Sequence, residues 1–364
     1  MFSTFGQNIR ITVFGESHGT GIGVVMDGFP AGEAVSMEEL NRFMARRAPG
    51  QRGTTPRKEK DTPEVLSGLQ NDTTTGSALA MIIRNKDHRS DDYITDIPRP
   101  SHADLNAHLK FGGHMDMRGG GPFSGRITAP LCLAGGVAKQ ILARRGIAVG
   151  AHLAAIGAIE DARWDPVLVR REELEQIGRQ GFPAIDPAKA DAMLDYLDRV
   201  KDEEDSVGGR IGCMATGVPA GLGEPNYLSV ESHLSHLLFS VPGVRGVQFG
   251  TGFAAAKMRG SEHNDPIRLE DGRFYTQTNH AGGIVGGITN GMPLVVEVAM
   301  KPAASIGQKQ RSVSLSQNRE TDLRIEGRHD PSIAVRAVPV IEACMAITLL
   351  DFMEGKNGIT GHQK

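Results

Sequence analysis

The chain has 364 residues, and 46 of them are glycine, about 13% against a usual ~7%. Proline is ordinary at 19 and 39% of residues are hydrophobic, which describes a folded globular protein and excludes collagen, coiled coil and global disorder. Forty basic against 43 acidic residues leave −3, too balanced for a polycation that serves nucleic acid or acidic lipid.

The N-terminus, MFSTFGQNIRITVF, lacks the basic start and apolar run of a signal peptide, and no apolar run reaches the ~18 residues of a membrane span. Three cysteines, Cys132, Cys213 and Cys344, are odd in number and far apart, so they form neither a disulfide framework nor a CxxC metal site. The expectation is a soluble cytoplasmic protein with no resident metal.

In chain order, 9–14 and 22–26 read as strands around the glycine-rich turn GESHGTG. A helix is predicted over 37–47, with Ser36 and Glu39 as a capping box and Val35 with Leu40 as a hydrophobic staple. It runs into a basic loop with Arg46, Arg47, Arg52, Arg57, Lys58 and Lys60. Ser101 with Asp104 marks a second capped start. A long apolar helix is predicted over 124–145, ending at Gly146, and Gly135-Gly136 inside it call for close backbone packing or a break. Residues 160–205 carry 14 acids and 7 bases on helical spacing and read as a solvated acidic insertion without chemistry. Beyond it come a capped helix near 230–240, apolar stretches at 244–256 and 294–299, and a C-terminal helix near 333–353. Gly28-Phe-Pro-Ala-Gly32 precedes Ser36 as Gly217-Val-Pro-Ala-Gly221 precedes Ser229, an echo that reads as two related halves of one fold.

Candidate chemistry concentrates in glycine-rich turns: Glu16-Ser17-His18, Arg99-Pro-Ser-His102-Ala-Asp104, Arg118-Gly-Gly-Gly121 with Ser124-Gly-Arg126, Gly260-Ser-Glu262 with Asn264-Asp265, Asn279-His280-Ala-Gly-Gly283 and Gly327-Arg-His-Asp-Pro331. Glycine lets backbone N–H groups approach a ligand, arginine offers forked donors to carboxylate or phosphate, and histidine moves protons near neutral pH. Recurrence of this grouping points to a water-poor site for a small, multiply anionic substrate. The alternatives are weaker. No P-loop or G-x-S-x-G elbow is present, and Gly250-Thr-Gly252-Phe-Ala-Ala255, with Glu270 beyond, is not followed by a clear helix. His233 and His236 lack an evident third ligand and read as an exposed helix face. The basic loop holds no aromatic residue, which disfavours RNA binding. A flavin- or nicotinamide-dependent oxidoreductase using 250–255, and an anion- or RNA-binding protein using 46–60, remain as competing classes.

Taken in order, Gly15-Glu-Ser-His-Gly19, Arg99-Pro-Ser-His-Ala-Asp104, Arg118-Gly-Gly-Gly121, Ser124-Gly-Arg126, Asn279-His-Ala-Gly-Gly283, Lys301-Pro302 and Gly327-Arg-His-Asp-Pro331 resemble the chorismate synthase family across nearly the whole chain. The resemblance implies an α+β fold, a β-α-β sandwich forming one domain over 1–364 with the insertion at about 160–205, and a homotetramer. It implies a phosphate lyase that converts 5-enolpyruvylshikimate 3-phosphate to chorismate by anti-1,4-elimination, with reduced FMN lending an electron and no net redox change. By the same resemblance His18 protonates the departing phosphate, and His102 sits by the reduced flavin. Asp330 acts with the flavin in removing the ring proton, and Ser17 and Ser124 relay protons. Arg47, Arg52, Arg126 and Arg328 hold phosphate and carboxylates. The flavin lies against Phe123, Ser124, Pro242, Gly243, Gly286, Arg328 and the segment Lys301, Pro302, Ala303, Ala304, Ser305. Pro49–Thr55 is one residue shorter than in many relatives, which bears on Arg52, and Pro122-Phe123 stands where many have polar residues. Fungal members that reduce their own flavin with NADPH are longer, so an external reductant is expected here.

Overall fold

The protein was analysed as a computed structural model, which describes residues 3–55, 61–85, 96–325 and 329–355. Arg57, Lys58, Lys60 and Arg328 lie outside the described residues. Short β-branched and aliphatic runs pair antiparallel into two five-stranded sheets. The first runs Thr4–Phe5, Arg10–Gly15, Gly21–Asp27, Leu79–Arg84, Glu64–Ser67 across the sheet. The second runs Val244–Phe249, Leu294–Met300, Gly209–Thr216, Ala148–Ile156, Ile159–Glu160. Strict alternation of burial along Leu294–Met300 shows one face turned to the core.

The helices are α1 (Met37–Arg47), α2 (Asp104–Phe111), α3 (Thr128–Arg144), α4 (Arg171–Ile177), α5 (Pro187–Asp202), α6 (Val230–Leu238), α7 (Gly260–His263) and α8 (Ala334–Met353). α3 packs on the first sheet, α8 on the second, and the two pack on each other, with α1 and α6 beside them. The result is the expected β-α-β sandwich with its core in the helical layer. Covered on both sides, α8 is apolar nearly all round. Its acidic residues are each answered: Glu342 by Arg46 at 2.6 Å and by Lys139, Asp351 by His233 at 2.7 Å and by the backbone N–H groups of Gln7, Asn8 and Ile9.

Gly135-Gly136 resolves as close packing without a break. A Cβ on Gly135 would fall well inside contact with Ala343 of α8, and one on Gly136 at 2.5 Å from Leu40. Gly135→Val is therefore expected to cost about 1–3 kcal/mol by overpacking. A thermal-unfolding midpoint equal to that of the unsubstituted chain would show that the two helices separate freely.

The two GxPAG segments carry matching hydrogen-bond sets. Thr74 Oγ1 donates to Pro30 O and accepts from Glu33 N, while Gly32 N donates to Thr74 O. Thr289 Oγ1 donates to Pro219 O and accepts from Leu222 N, while Gly221 N donates to Thr289 O. Ser36 and Ser229 then cap α1 and α6 through Glu39 N and Ser232 N. The strand order Arg10–Gly15, Gly21–Asp27, Leu79–Arg84, Glu64–Ser67 is repeated by Ala148–Ile156, Gly209–Thr216, Leu294–Met300, Val244–Phe249. The two halves share strand order and capping geometry.

Three local expectations need correction. Ser36 caps α1 by one arm only, because its own N–H donates to Gln140 at 2.7 Å instead of closing a box with Glu39. Ser101 does not cap α2; it has φ 59°, Ala103 is the N-cap residue, and no side chain bonds there. His233 is buried beside Asp351 and Phe352, and only His236 faces outward. The acidic segment does form helices, α4 and α5, yet it is more than a solvated face. Met193, Leu194, Leu197 and Val200 are buried, and Asp195 and Asp198 of α5 each hold Arg52 at 3.0 Å. The insertion thus fastens the loop that continues to Thr55.

Candidate active site

A cavity of about 570 Å³ opens among loops from both halves. The first half supplies Ser17 and His18 after strand Arg10–Gly15, Arg47 at the end of α1, Asn85 after strand Leu79–Arg84, and Phe123–Arg126 before α3. The second half supplies Phe239–Arg245 after α6, Lys301 and Ala303–Ser305 after strand Leu294–Met300, and Asp330 with Arg336 at the start of α8. The Arg99–Ala103 turn closes one wall.

Three consecutive glycines organise its floor. Gly119, Gly120 and Gly121 have φ of 63°, 88° and 52°, which side chains rarely adopt. A Cβ on Gly119 would stand 2.7 Å from Ser17 Oγ and 2.9 Å from His18 Nε2. One on Gly120 would stand 2.9 Å from His102 Cε1. Bare backbone therefore runs directly under both histidines, and this turn cannot carry side chains without displacing them.

The arginines are held by carboxylates. Asp61, almost fully buried, binds Arg47 Nη1 at 2.7 Å through one oxygen and Arg126 through the other. Arg47 also donates to Thr128 Oγ1 at 3.0 Å and to the Gly125 carbonyl at 2.8 Å. Burial, reinforced by Arg336, presses the Arg47 pKa down to about 10, so it stays charged at neutral pH. Burial works against ionisation of Asp61 too, but Arg47 and Arg126 outweigh it and hold the carboxyl below its usual range. Asp330 accepts from Thr55 N at 2.7 Å and from Arg336 Nη1 at 3.0 Å, and Arg336 Nε donates to the Arg47 carbonyl. Lys301 donates to Ser101 O at 2.6 Å; burial, with Arg245 alongside, lowers its pKa from the ordinary lysine value.

Of the residues singled out from sequence, His18, His102, Asp330, Ser17, Ser124, Phe123, Pro242, Gly243, Lys301, Ala303, Ala304, Ser305, Arg47 and Arg126 line this one cavity. Three do not. Arg52 is half exposed and turned toward α5. Gly286 is at an exposed hairpin turn between Val285 and Ile288, and Pro302 faces away, toward Gly208. Asn279 and His280 also lie elsewhere: Asn279 bridges the carbonyls of Pro166 and Pro293, and His280 packs by Asp265. Strand Val244–Phe249 leads only into a 3-10 turn, Gly252–Lys257, and the short α7, so the 250–255 glycines do not open a dinucleotide site. Asp61, Asn85, Arg245 and Arg336 were missed. Arg336 alone left a signal, a charge in the first turn of a largely apolar helix.

Cations, proton carriers and an apolar wall on one cavity are the requirements of an enzyme that breaks a bond to an anionic leaving group. A family model for chorismate synthase matches residues 9–353. Curated chorismate synthases of Methanocella arvoryzae and Korarchaeum cryptofilum are 45% and 42% identical, covering 96% and 95% of this chain and 94% and 96% of theirs. A crystal structure of chorismate synthase superposes with a TM-score of 0.75 at 30% identity, covering 96% of this chain and 92% of that one. The chain belongs to the chorismate synthase family. It is a lyase that converts 5-enolpyruvylshikimate 3-phosphate to chorismate in the shikimate pathway.

Proposed function

We propose that this cavity is the reaction site, and that His18, His102 and Asp330 divide the proton handling between them. Their convergence with Arg47 and Arg126 on one cavity carries the reading. Arg47 and Arg126, fixed by Asp61, neutralise phosphate and carboxylate, and His18 gives its proton to the departing phosphate. Asp330, aimed by Thr55 N and Arg336, takes the ring proton. Ser17 and Ser124 are placed to relay protons beside His18 and Arg126.

The family uses reduced flavin, and the wall that the second half forms with Phe123 of the first fits one. Phe123, Phe239, Val241 and Pro242 offer apolar surface, and Lys301 and Arg245 offer charge for a phosphate. Reduced FMN supplies the transient electron that makes the elimination feasible without net redox change. Gly243, Ala303, Ala304 and Ser305 would bring backbone against it, and His102 would face its ring system. Arg52, Gly286 and Pro302 would reach a ligand only through movement of their segments or from a neighbouring copy. A homotetramer of single-domain chains in the cytoplasm, fed by an external flavin reductant, completes the proposal. Among the described residues no helix is long and apolar enough to cross a membrane.

Anaerobic single turnover with photoreduced FMN tests it. Chorismate should form only with reduced flavin and leave the flavin reduced, whereas one flavin oxidised per turnover would favour an oxidoreductase. NADPH with air should support no turnover unless a separate reductase is added.

A further inference from the structure

Asp104 opens α2, where an acidic side chain ordinarily serves the helix N-terminus. Here no cap bond is made, and the carboxylate turns back out of the helix. One oxygen, Oδ2, accepts from Arg99 N at 3.0 Å and Arg99 Nε at 2.7 Å. The other, Oδ1, accepts from Arg99 Nη2 at 2.9 Å and lies 2.6 Å from His102 Nδ1. An ionised carboxylate only accepts, so the 2.6 Å contact places its hydrogen on Nδ1, while Arg99 Nη2, 3.1 Å from the same nitrogen, gives its hydrogen to Asp104 Oδ1 at 2.9 Å. Burial disfavours ionisation of Asp104, yet the bonds from Arg99 and His102 outweigh it and hold the carboxyl well below its usual range.

Resting on the reading of His102 as the histidine that faces the cofactor, we infer that Asp104 is its positioning residue, fixing the Nδ1–H tautomer so that Nε2 is the nitrogen offered to ligand. Two features make the arrangement rigid. Gly120 backbone packs against the Cε1–Nε2 edge, so the ring has one seat. Arg99 Nη1 continues to Ser305 Oγ at 3.2 Å, and Lys301 holds the Ser101 carbonyl, tying the histidine turn to the 301–305 wall. The charges around the ring are Arg99 and Asp104 on its own turn and Lys301, with Arg245 behind it, on the facing wall. Among the described residues, Asp104 is the carboxylate that meets the ring, and without it Nδ1 loses the acceptor that fixes its hydrogen and its orientation.

Nitrogen-15 NMR of histidine-labelled, ligand-free protein, with the His102 signals assigned through His102→Ala, reads this directly. The unsubstituted chain should show neutral His102 with Nδ1 protonated and Nε2 bare. Asp104→Asn should mix the two tautomers. In turnover, Asp104→Asn should fall roughly ten- to a hundredfold, less than the loss of a general acid or base itself. Asp104→Glu should recover part of the Nδ1–H population and of the rate. An Nε2–H tautomer in the unsubstituted protein overturns the inference even if Asp104→Asn fails to fold, and so does an unmixed Nδ1–H tautomer in a folded Asp104→Asn. Normal turnover by His102→Ala would instead overturn the reading of His102 and leave the tautomer assignment standing.

Discussion

Replacing His18 by alanine is expected to slow chorismate formation by about 10²–10⁴, the usual scale for removing a general acid. The phosphate that leaves the substrate is a far better leaving group once protonated, and arginines alone stabilise its charge without supplying a proton. His18 sits against the Gly119 backbone with Ser17 beside it, and the same cavity wall carries Arg47 and Arg126. Because the ring rests on glycine backbone, shortening it removes the proton carrier while the arginines keep their bonds to Asp61. Substrate binding should change much less than turnover. Single-turnover rates with saturating reduced FMN, set beside substrate affinity from calorimetry, separate the two effects. A near-normal rate in His18→Ala would assign the proton to another group.

Much of this site was legible because its residues are chemically conspicuous. His18 stands in a glycine-rich turn, and His102 and Asp330 stand beside arginine, proline and a second polar residue, combinations that nothing in a core would call for. The helices that frame them follow from apolar spacing and from Ser36 and Ser229 as caps. What stayed hidden is pairing over long sequence distance. Asp61 looks like the end of a charged surface run until folding places it between Arg47 and Arg126. Arg52 looks equivalent to Arg47, but α5 brings Asp195 and Asp198 within reach and turns it outward. Asp104 has the spacing of a capping residue, and only the left-handed Ser101 and the nearness of Arg99 show that local propensity gives way to the site.

The repeat explains where the cavity lies. Arg47 closes α1 and Ser240 lies just beyond α6, and Pro49 and Pro242 come next in the two loops, so matching loops from the two halves face a shared space. Their chemistry differs. The first half contributes His18, Arg47 and Arg126 to this space, while the second contributes Phe239, Pro242 and the Lys301–Ser305 wall. A duplicated frame with unlike loops suits a reaction that needs a polyanion and a flat apolar partner side by side.

Asp61→Ala should have the largest effect on stability. Arg47 and Arg126 are both nearly buried, and removing their shared carboxylate takes from two cations in a low-dielectric pocket the anion that pairs them. Breaking a buried pair from one side costs about 3–5 kcal/mol, and here one deletion breaks two. The loss should depend on pH. The Asp61 carboxyl in the folded chain titrates below its usual range, so as pH falls the unfolded chain takes up the proton first. The stabilisation is complete above about pH 4 and disappears as pH drops through the lowered folded value. Unfolding curves of Asp61→Ala and the unsubstituted chain should therefore lie far apart at neutral pH and converge in acid. Inorganic phosphate should narrow the neutral-pH gap, because an anion bound only by the folded chain restores the missing charge partner. Equal midpoints at neutral pH would show that the two arginines do not depend on Asp61, and a gap that persists unchanged in acid would show that its contribution is packing rather than charge.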